Sequence, residues 1–396
     1  MGLTDTPNAN RLHITLFGRR NSGKSSLINA LTGQDIALVS NTPGTTTDLV
    51  SKAMEIQGIG PCLFIDTPGF DDEGELGELR ISRTLKAIEK TDIALLLCED
   101  TTFFHEKEIL ALLKEKNIPV IPVLNKIDIR ENSDHLATYI EEQCKIHPLL
   151  ISAKEKIRIE LIRQAILEKL PSDFGQQSIT GELVTENDLV LLVMPQDIQA
   201  PKGRLILPQV QTIRELLDKK CLVMTCTTDK FSATLQALAR PPKLIITDSQ
   251  VFKAIYEQKP KESELTSFSV LFAGYKGDIH YYVESAAVIE RLTESSRVLI
   301  AEACTHAPLS EDIGRVKLPR LLRKRIGENL QIDMVAGTDF PQDLTPYSLV
   351  IHCGACMFNR KYVLSRIERA REQHIPMTNY GVAIAFLNGI LDQIKY

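Results

Sequence analysis

At 396 residues the chain is too long for one ordinary hydrophobic core, and two or three domains are expected. Hydrophobic residues make up 43% and charged residues 24%, the balance of a globular protein, and no apolar run approaches the roughly 20 residues that a membrane helix needs. The net charge of −5 gives no general attraction to nucleic acid.

Residues 1–10 are polar, without an apolar export core or an Arg-rich transit pattern, so a cytoplasmic protein is expected. Residues 11–172 then alternate apolar runs with amphipathic stretches. Strands are predicted at 12–17, 63–65, 93–98, 120–124 and 149–152, and helices at 24–31, 78–89, 106–116 and 157–170. This order implies a mainly parallel sheet covered by helices. The last helix stops at Pro171, and a polar linker follows over 172–181. The first domain is therefore drawn at 9–172.

A second, smaller α/β block is drawn at 182–262, with strands at 189–194, 222–226 and 244–247 and helices at 209–219 and 231–239. It holds no polar cluster that suggests chemistry, so association is its expected role. A third block, 266–396, is predicted to have strands at 268–272, 298–303, 332–336 and 348–352, with helices between them and two more after 358. The fold class is thus three consecutive α/β domains. Within the third block Lys317, Arg320, Arg323 and Lys324 concentrate positive charge over 315–325, read as a solvated helix face.

The first block carries nucleotide chemistry. Gly18-Arg19-Arg20-Asn21-Ser22-Gly23-Lys24-Ser25 fits G-x-x-x-x-G-K-[ST] between a strand and a helix, and Ser26 extends it. In that context the glycines let backbone N–H groups converge on phosphate oxygens, and the whole is a P-loop. Lys24 would reach the β- and γ-phosphates and Ser25 would ligate Mg²⁺. Asp66-Thr67-Pro68-Gly69 ends a strand, so Asp66 can hold Mg²⁺ through water while the Gly69 amide faces the γ-phosphate. Asn125-Lys126-Ile127-Asp128 ends another, and the Asp128 carboxylate suits the N1–H and N2–H₂ donors of guanine, a pair that adenine lacks. Ser152-Ala153-Lys154 supplies a loop amide for guanine O6. Four matches in order, all at carboxyl ends of parallel strands, identify a GTP/GDP site.

These motifs resemble the TrmE–Era branch of GTPases over residues 11–170. The resemblance implies that Pro43-Gly44-Thr45-Thr46-Thr47-Asp48 is the first switch, with Thr45 and Thr46 at the nucleotide and Thr46 closing on Mg²⁺. It also implies that Asn21 helps to bind K⁺ beside the phosphates. Phe70 stands where Ras-like enzymes place a water-orienting glutamine and cannot polarise water. By resemblance to tRNA-modifying members Glu78 takes that part, although an acidic residue at a helix start also simply stabilises the helix dipole. Lys24, Thr46, Gly69 and Glu78 are the candidate catalytic residues.

The chain has eight cysteines: Cys62, Cys98, Cys144, Cys221, Cys226, Cys304, Cys353 and Cys356. Without an export signal a disulfide framework is not expected. Cys62 and Cys98 lie in apolar strand-like runs and read as small buried hydrophobes, while Cys221 and Cys226 should point to opposite faces of a strand. Cys304-Thr305-His306 and His352-Cys353-Gly354-Ala355-Cys356 both follow predicted strands, so the two groups can converge at one end of the third block. Three thiolates and a histidine suit zinc, and three thiolates also suit a [4Fe–4S] cluster with one open iron. Spacing does not separate zinc from iron.

A GTPase of this branch, followed by an α/β middle block and C-x-H…H-C-x-x-C, resembles the HydF family of [FeFe]-hydrogenase maturation GTPases over essentially the whole chain. The resemblance implies that Cys304, Cys353 and Cys356 ligate a [4Fe–4S] cluster, with His352 or His306 as fourth ligand or as an outer neighbour. It further implies a homodimer formed through the middle domain. The expected task is to carry a transient diiron cluster precursor, built with two radical-SAM maturases, to apo-[FeFe]-hydrogenase. The alternatives are an RNA-acting TrmE/Era-like GTPase with a structural zinc site, or a redox enzyme. Gly274-Tyr275-Lys276-Gly277 formally fits the KH-domain G-x-x-G loop, but is expected to follow a strand where that loop follows a helix. No flavin or NAD fingerprint supports the redox reading.

Overall fold

The computed structural model describes residues 6–32, 50–69, 83–100, 103–171, 174–175, 177–195, 205–303 and 313–396. The chain divides into two compact units, Met1–Gln176 and Gln177–Tyr396.

In the first unit, strands β1 (Leu12–Gly18), β2 (Val50–Ile56), β3 (Gly60–Asp66), β4 (Ile93–Cys98), β5 (Val120–Leu124) and β6 (Leu149–Leu150) form one sheet. Their spatial order is β2-β3-β1-β4-β5-β6, with β2 antiparallel to β3 and every other pair parallel. Helices α1 (Lys24–Thr32), α2 (residues 83–88), α3 (Phe104–Glu115), α4 (Ser133–Cys144) and α5 (Ile159–Glu168) complete its described regular structure, apart from short 3₁₀ turns. Period-two alternation along β1 sends Leu12, Ile14 and Leu16 to one core and Phe17 to the other, so both faces of the sheet are covered. Two elements escaped the sequence reading. The edge strand β2 exposes Ala53 and Glu55 and carries Lys52 on the same face as Met54 and Ile56, so its pattern is weak, and α4 has only Ala137, Ile140 and Cys144 buried.

The second unit contains two four-stranded parallel sheets. The first has β7 (Leu189–Val193), β8 (Leu222–Cys226), β9 (Leu244–Thr247) and β10 (Glu264–Ser267) in the order β10-β9-β7-β8. The second has β11 (Arg297–Glu302), β12 (Gln331–Ala336), β13 (Leu349–His352) and β14 (Met377–Asn379) in the order β12-β11-β13-β14. One buried cluster joins them, running from Leu191, Ile245 and Leu265 to Leu299, Val350 and Val382. The helices that pack these sheets include α6 (Leu207–Asp218), α7 (Phe231–Ala237), α8 (Phe252–Gln258), α9 (Phe268–Lys276), α10 (Ile279–Ala286), α11 (Leu318–Ile326), α12 (Arg360–Glu372) and α13 (Tyr380–Leu387).

The strand predicted at 268–272 is a helix. Phe268, Val270, Leu271, Phe272 and Ala273 of α9 are all buried, so the segment shows no 3.6-residue periodicity and reads like a core strand. Ser267 starts the helix, its hydroxyl accepting from the Val270 amide at 3.2 Å. The strand is β10, a few residues earlier, and it pairs with β9 in the first of the two sheets. The Gly274–Gly277 motif therefore follows no strand: it is the last turn of α9 with Gly277 as its cap, not a loop of the KH kind. Its side chains are also committed within the protein. Buried Lys276 donates to the Phe358 carbonyl, and a Cβ on Gly277 would stand 2.7 Å from Tyr282.

Cys62, Cys98, Cys144 and Cys221 are buried among apolar side chains. Cys221 and Cys226 pack into different clusters, as opposite faces require. On α11, Leu318 and Leu322 face inward; of the four basic residues expected on a solvated face, Arg320 and Lys324 are exposed, while Lys317 and Arg323 are half-buried. Among the described residues, no helix is long and apolar enough to cross a membrane.

Candidate functional site

Two sites stand out, one in each unit. In the first, the turn after β1 runs from Gly18 to the start of α1. Asn21 and Gly23 both have left-handed backbone, with φ of 63° and 91°. At Gly23 a Cβ would lie 2.3 Å from the Asn125 amide nitrogen, so no side chain fits there without displacing Asn125.

Asn125 fixes the geometry of the site. Its Nδ2 donates to the Ser22 carbonyl at 3.0 Å and its Oδ1 accepts from the Ala153 amide at 3.0 Å. One buried side chain thus holds together three segments: the turn after β1, the end of β5 and the loop after β6. Lys24 is buried, and its Nζ donates to the carbonyls of Gly18 and Arg19, both at 2.8 Å, inside the same turn. The Ser25 hydroxyl donates to Asp66 Oδ2 at 2.6 Å. Burial pushes the Asp66 carboxyl above its ordinary value, against the lowering effect of Ser25 and Lys24. Among the described residues, buried Asp66 Oδ1 and Ser22 Oγ have no hydrogen-bond partner. An unsatisfied carboxylate oxygen next to Ser25 and Lys24 is what a cation and an anionic phosphate would jointly satisfy.

Thr67 and Gly69 continue from β3, with Thr67 Oγ1 donating to the Leu16 carbonyl at 2.7 Å. Ser26 is exposed on α1. Asp128 is exposed, and a hydrogen bond from Ser152 holds its carboxyl below the ordinary range. Lys126, with left-handed backbone, pairs with Glu99 at 3.0 Å, and Lys154 is solvent-exposed beside Ala153. Thr45, Thr46 and Glu78 lie outside the described residues. The sequence reading overlooked Arg19, which binds Asp100 at 3.1 Å and buried Glu106 at 2.9 Å and so ties the turn to α3. Its signal was faint, because both acids sit in an unrelated stretch more than 80 residues away.

In the second unit Cys353 follows β13 and Cys356 comes three residues later. Every polar atom of Cys353 is engaged. Its amide donates to the Ala301 carbonyl at 2.9 Å, and its carbonyl accepts from His352 at 2.8 Å and from Asn379 at 3.3 Å. The sulfur accepts from the backbone N–H groups of Ala303 at 3.0 Å and Ala355 at 3.4 Å. Two amides aimed at one sulfur favour a thiolate, and without a bound positive centre burial pushes this thiol up to about 11. The left-handed residue of the turn is Ala355, with φ of 51°, and not Gly354, where a Cβ would meet open space.

His352 is completely buried, with both ring nitrogens occupied. Arg366 donates to Nε2 at 2.9 Å, which leaves the proton on Nδ1 for the Cys353 carbonyl. Burial and the guanidinium lower its pKa to about 3, so the ring is neutral. With Nε2 accepting and Nδ1 donating, the ring acts in this arrangement as a support of Cys353 and has no lone pair to offer a metal. Cys304 and His306 lie outside the described residues, and among the described residues no group of three His, Cys, Asp or Glu side chains is gathered as a metal site. The two described thiols face a cavity of about 240 Å³ whose walls include Phe268, Phe272, Ser269, Glu302 and Tyr380. Glu302 is held there by Arg315 at 3.0 Å and Tyr380 at 3.3 Å.

Comparison with known proteins finds domain families in both units. Residues 13–126 match the model of a 50S ribosome-binding GTPase, residues 179–277 the hydrogen maturase F dimerization domain, and residues 280–395 the hydrogen maturase F tetramerization domain. The last two models together span more than half of the chain. A tRNA modification GTPase MnmE of Dechloromonas aromatica is 39% identical over 159 residues, 39% of this chain and 34% of that protein. Its counterpart in Nitrosomonas europaea is 38% identical over 174 residues, 43% of this chain and 37% of that protein. GTPase Der of Wolinella succinogenes is 35% identical over 186 residues, 43% of this chain and 38% of that protein. The chain spans little more than a third of the length of these curated relatives.

Proposed function

The chain belongs to the hydrogen maturase F family and carries a GTPase domain, and from that premise we propose that it couples GTP hydrolysis to the carriage of an iron–sulfur-bound precursor in hydrogenase maturation. It self-associates, as its dimerization and tetramerization domains imply.

In the first unit Lys24 moves from its loop carbonyls to the β- and γ-phosphates, which offer it charge-assisted bonds in place of neutral ones. Ser25 and Asp66, joined by a hydrogen bond, would hold Mg²⁺, and Gly18, Ser22, Gly23, Ser26 and Gly69 would line the phosphates. Asp128 reads guanine, with Asn125, Lys126, Ser152, Ala153 and Lys154 shaping its pocket. Asn21 as K⁺ ligand, Thr45 and Thr46 as switch residues, and Glu78 as the residue orienting water rest on resemblance to the TrmE–Era branch.

In the second unit Cys353 and Cys356, with Cys304 as third thiolate, hold a [4Fe–4S] cluster. Such a cluster supplies an iron with an exchangeable position. This chain's residues fix the thiolates, shield them from water and offer the adjoining cavity to cargo. His352 supports Cys353 from outside the ligand set, and His306 keeps its role from the sequence alone. The observation that carries this reading is the pair of backbone N–H groups directed at the Cys353 sulfur beside the cavity. They suit a charged sulfur better than a neutral thiol, which is a weak acceptor.

The cargo is a diiron precursor received from two radical-SAM maturases and passed to apo-[FeFe]-hydrogenase in the cytoplasm. We divide the chain into GTPase, dimerisation and cluster domains at 9–172, 182–262 and 266–396, with the second boundary moved past β10, which completes the middle sheet. β8 is at the edge of its sheet with Leu222 and Met224 exposed, which suits the dimer surface of the middle domain. The test is activation of apo-hydrogenase by purified components under anaerobic conditions. The wild-type chain should support it, Cys353→Ser should abolish it, and Lys24→Ala should slow it at least tenfold. Undiminished activation by Cys353→Ser would contradict the reading.

A further inference from the structure

Arg366 is the largest fully buried side chain of the described residues. Its place on α12 follows from spacing: Tyr362 and Arg366 are four residues apart on one helical face, and Phe358 comes just before the helix cap Asn359. Phe340, arriving from the turn after β12, closes the other side. The guanidinium lies 4.6 Å from the Phe358 ring centre and 4.7 Å from those of Tyr362 and Phe340. Its bonds go to neutral acceptors: Nε2 of His352 at 2.9 Å, the Gly337 carbonyl at 2.6 Å and the Tyr362 hydroxyl at 3.3 Å. Among the described residues no carboxylate pairs with it, and its Nε has no hydrogen-bond partner.

A buried charge without a counter-charge is costly, and aromatic faces with neutral acceptors offset only part of that cost. An anionic centre nearby would offset the rest. The chain of contacts runs in one direction, from Arg366 to His352 Nε2 and from His352 Nδ1 to the Cys353 carbonyl. A centre bound by three thiolates carries net negative charge, and each added electron increases it.

We propose that Arg366 is the fixed positive charge of the cysteine site, a positioning residue that acts through His352 to hold the Cys353 turn and to favour the reduced form of the centre bound there. The inference rests on the cluster reading above. It assigns a function to a side chain that carries no cysteine chemistry itself and lies ten residues beyond the C-x-x-C motif. Lysine does not replace it, because only the planar guanidinium both stacks in the aromatic box and reaches the imidazole.

The test is a reductive titration of the holoprotein followed by electron paramagnetic resonance, with iron and sulfide counted on each sample. Arg366→Met should keep its iron but become harder to reduce, with the reduction equilibrium shifted at least tenfold, about 59 mV for a one-electron couple. Phe358→Leu keeps the charge and admits water to it, and should shift the potential in the same direction by less. That milder variant decides the matter should Arg366→Met fail to fold. A loss of packing alone would lower the melting temperature and leave the potential where it was. Iron-replete variants with wild-type potentials overturn the role of Arg366 and leave the cluster reading intact. A wild-type protein without iron and sulfide overturns both.

Discussion

Asp128 shows how far one side chain can be followed. The Asn125–Asp128 motif points to the guanine-reading role proposed for it, and the structure adds that a hydrogen bond from Ser152 keeps its carboxyl below the ordinary range. Guanine affinity should therefore stay constant from about pH 8 down to about pH 5, since a carboxylate with a lowered pKa remains ionised through that window. Asp128→Asn should cost at least tenfold in GDP affinity, because a charged acceptor for the guanine donors is lost, and should shift preference toward xanthosine diphosphate. Fluorescence titration with both nucleotides checks this. An affinity for GDP unchanged in the variant would remove Asp128 from the site. At the same scale, Asn125 was readable as a motif residue, but its bridge from Ser22 to Ala153 was not, because neither partner is near it in sequence. The same holds for His352. It was conspicuous beside a cysteine, yet only the buried position of Arg366 shows that its ring is already occupied.

At the scale of elements, α6 illustrates a helix whose anchor no periodicity announces. Glu215 accepts from the Thr180 amide at 2.9 Å, the Thr180 hydroxyl at 2.7 Å and the Ser178 hydroxyl at 2.9 Å, and so fixes the start of the second unit to the helix. Burial alone would raise its pKa, but the bonds from Ile179, Thr180 and Ser178 outweigh it and lower the carboxyl below its usual 4.5. The folded value is depressed, so the stabilisation is complete above the unfolded pKa and fades as pH falls through the folded one. Glu215→Gln should lower stability by about 1.5–3 kcal/mol at neutral pH and flatten the loss on acidification below about pH 4.5. Urea melts at several pH values measure both effects, and parallel curves for the two proteins would refute it. The parallel sheets were largely legible because each strand is a short apolar run bounded by polar turns. Helix α9 was not, since burial on every side erased the periodicity that separates helix from strand. The edge strand β2 was missed because its apolar residues do not alternate cleanly with its polar ones, and β14 because it is only three residues long.

At the scale of the molecule, the chain joins a GTPase unit to a second compact unit in which two parallel sheets share one core. The split between nucleotide chemistry and cysteine chemistry was visible in the sequence, because each motif carries its own spacing. The packing of the two later sheets around α9 was not, since it depends on which strand β10 joins. The account turns on whether the second unit holds iron and sulfide. The most direct measurement is their content, with the visible spectrum, in full-length protein purified without oxygen. About four irons and four sulfides per chain are expected, with broad visible absorption that Cys353→Ala abolishes while GDP affinity is retained. Stoichiometric zinc without sulfide would contradict the account, leaving a GTPase joined to a structural metal module.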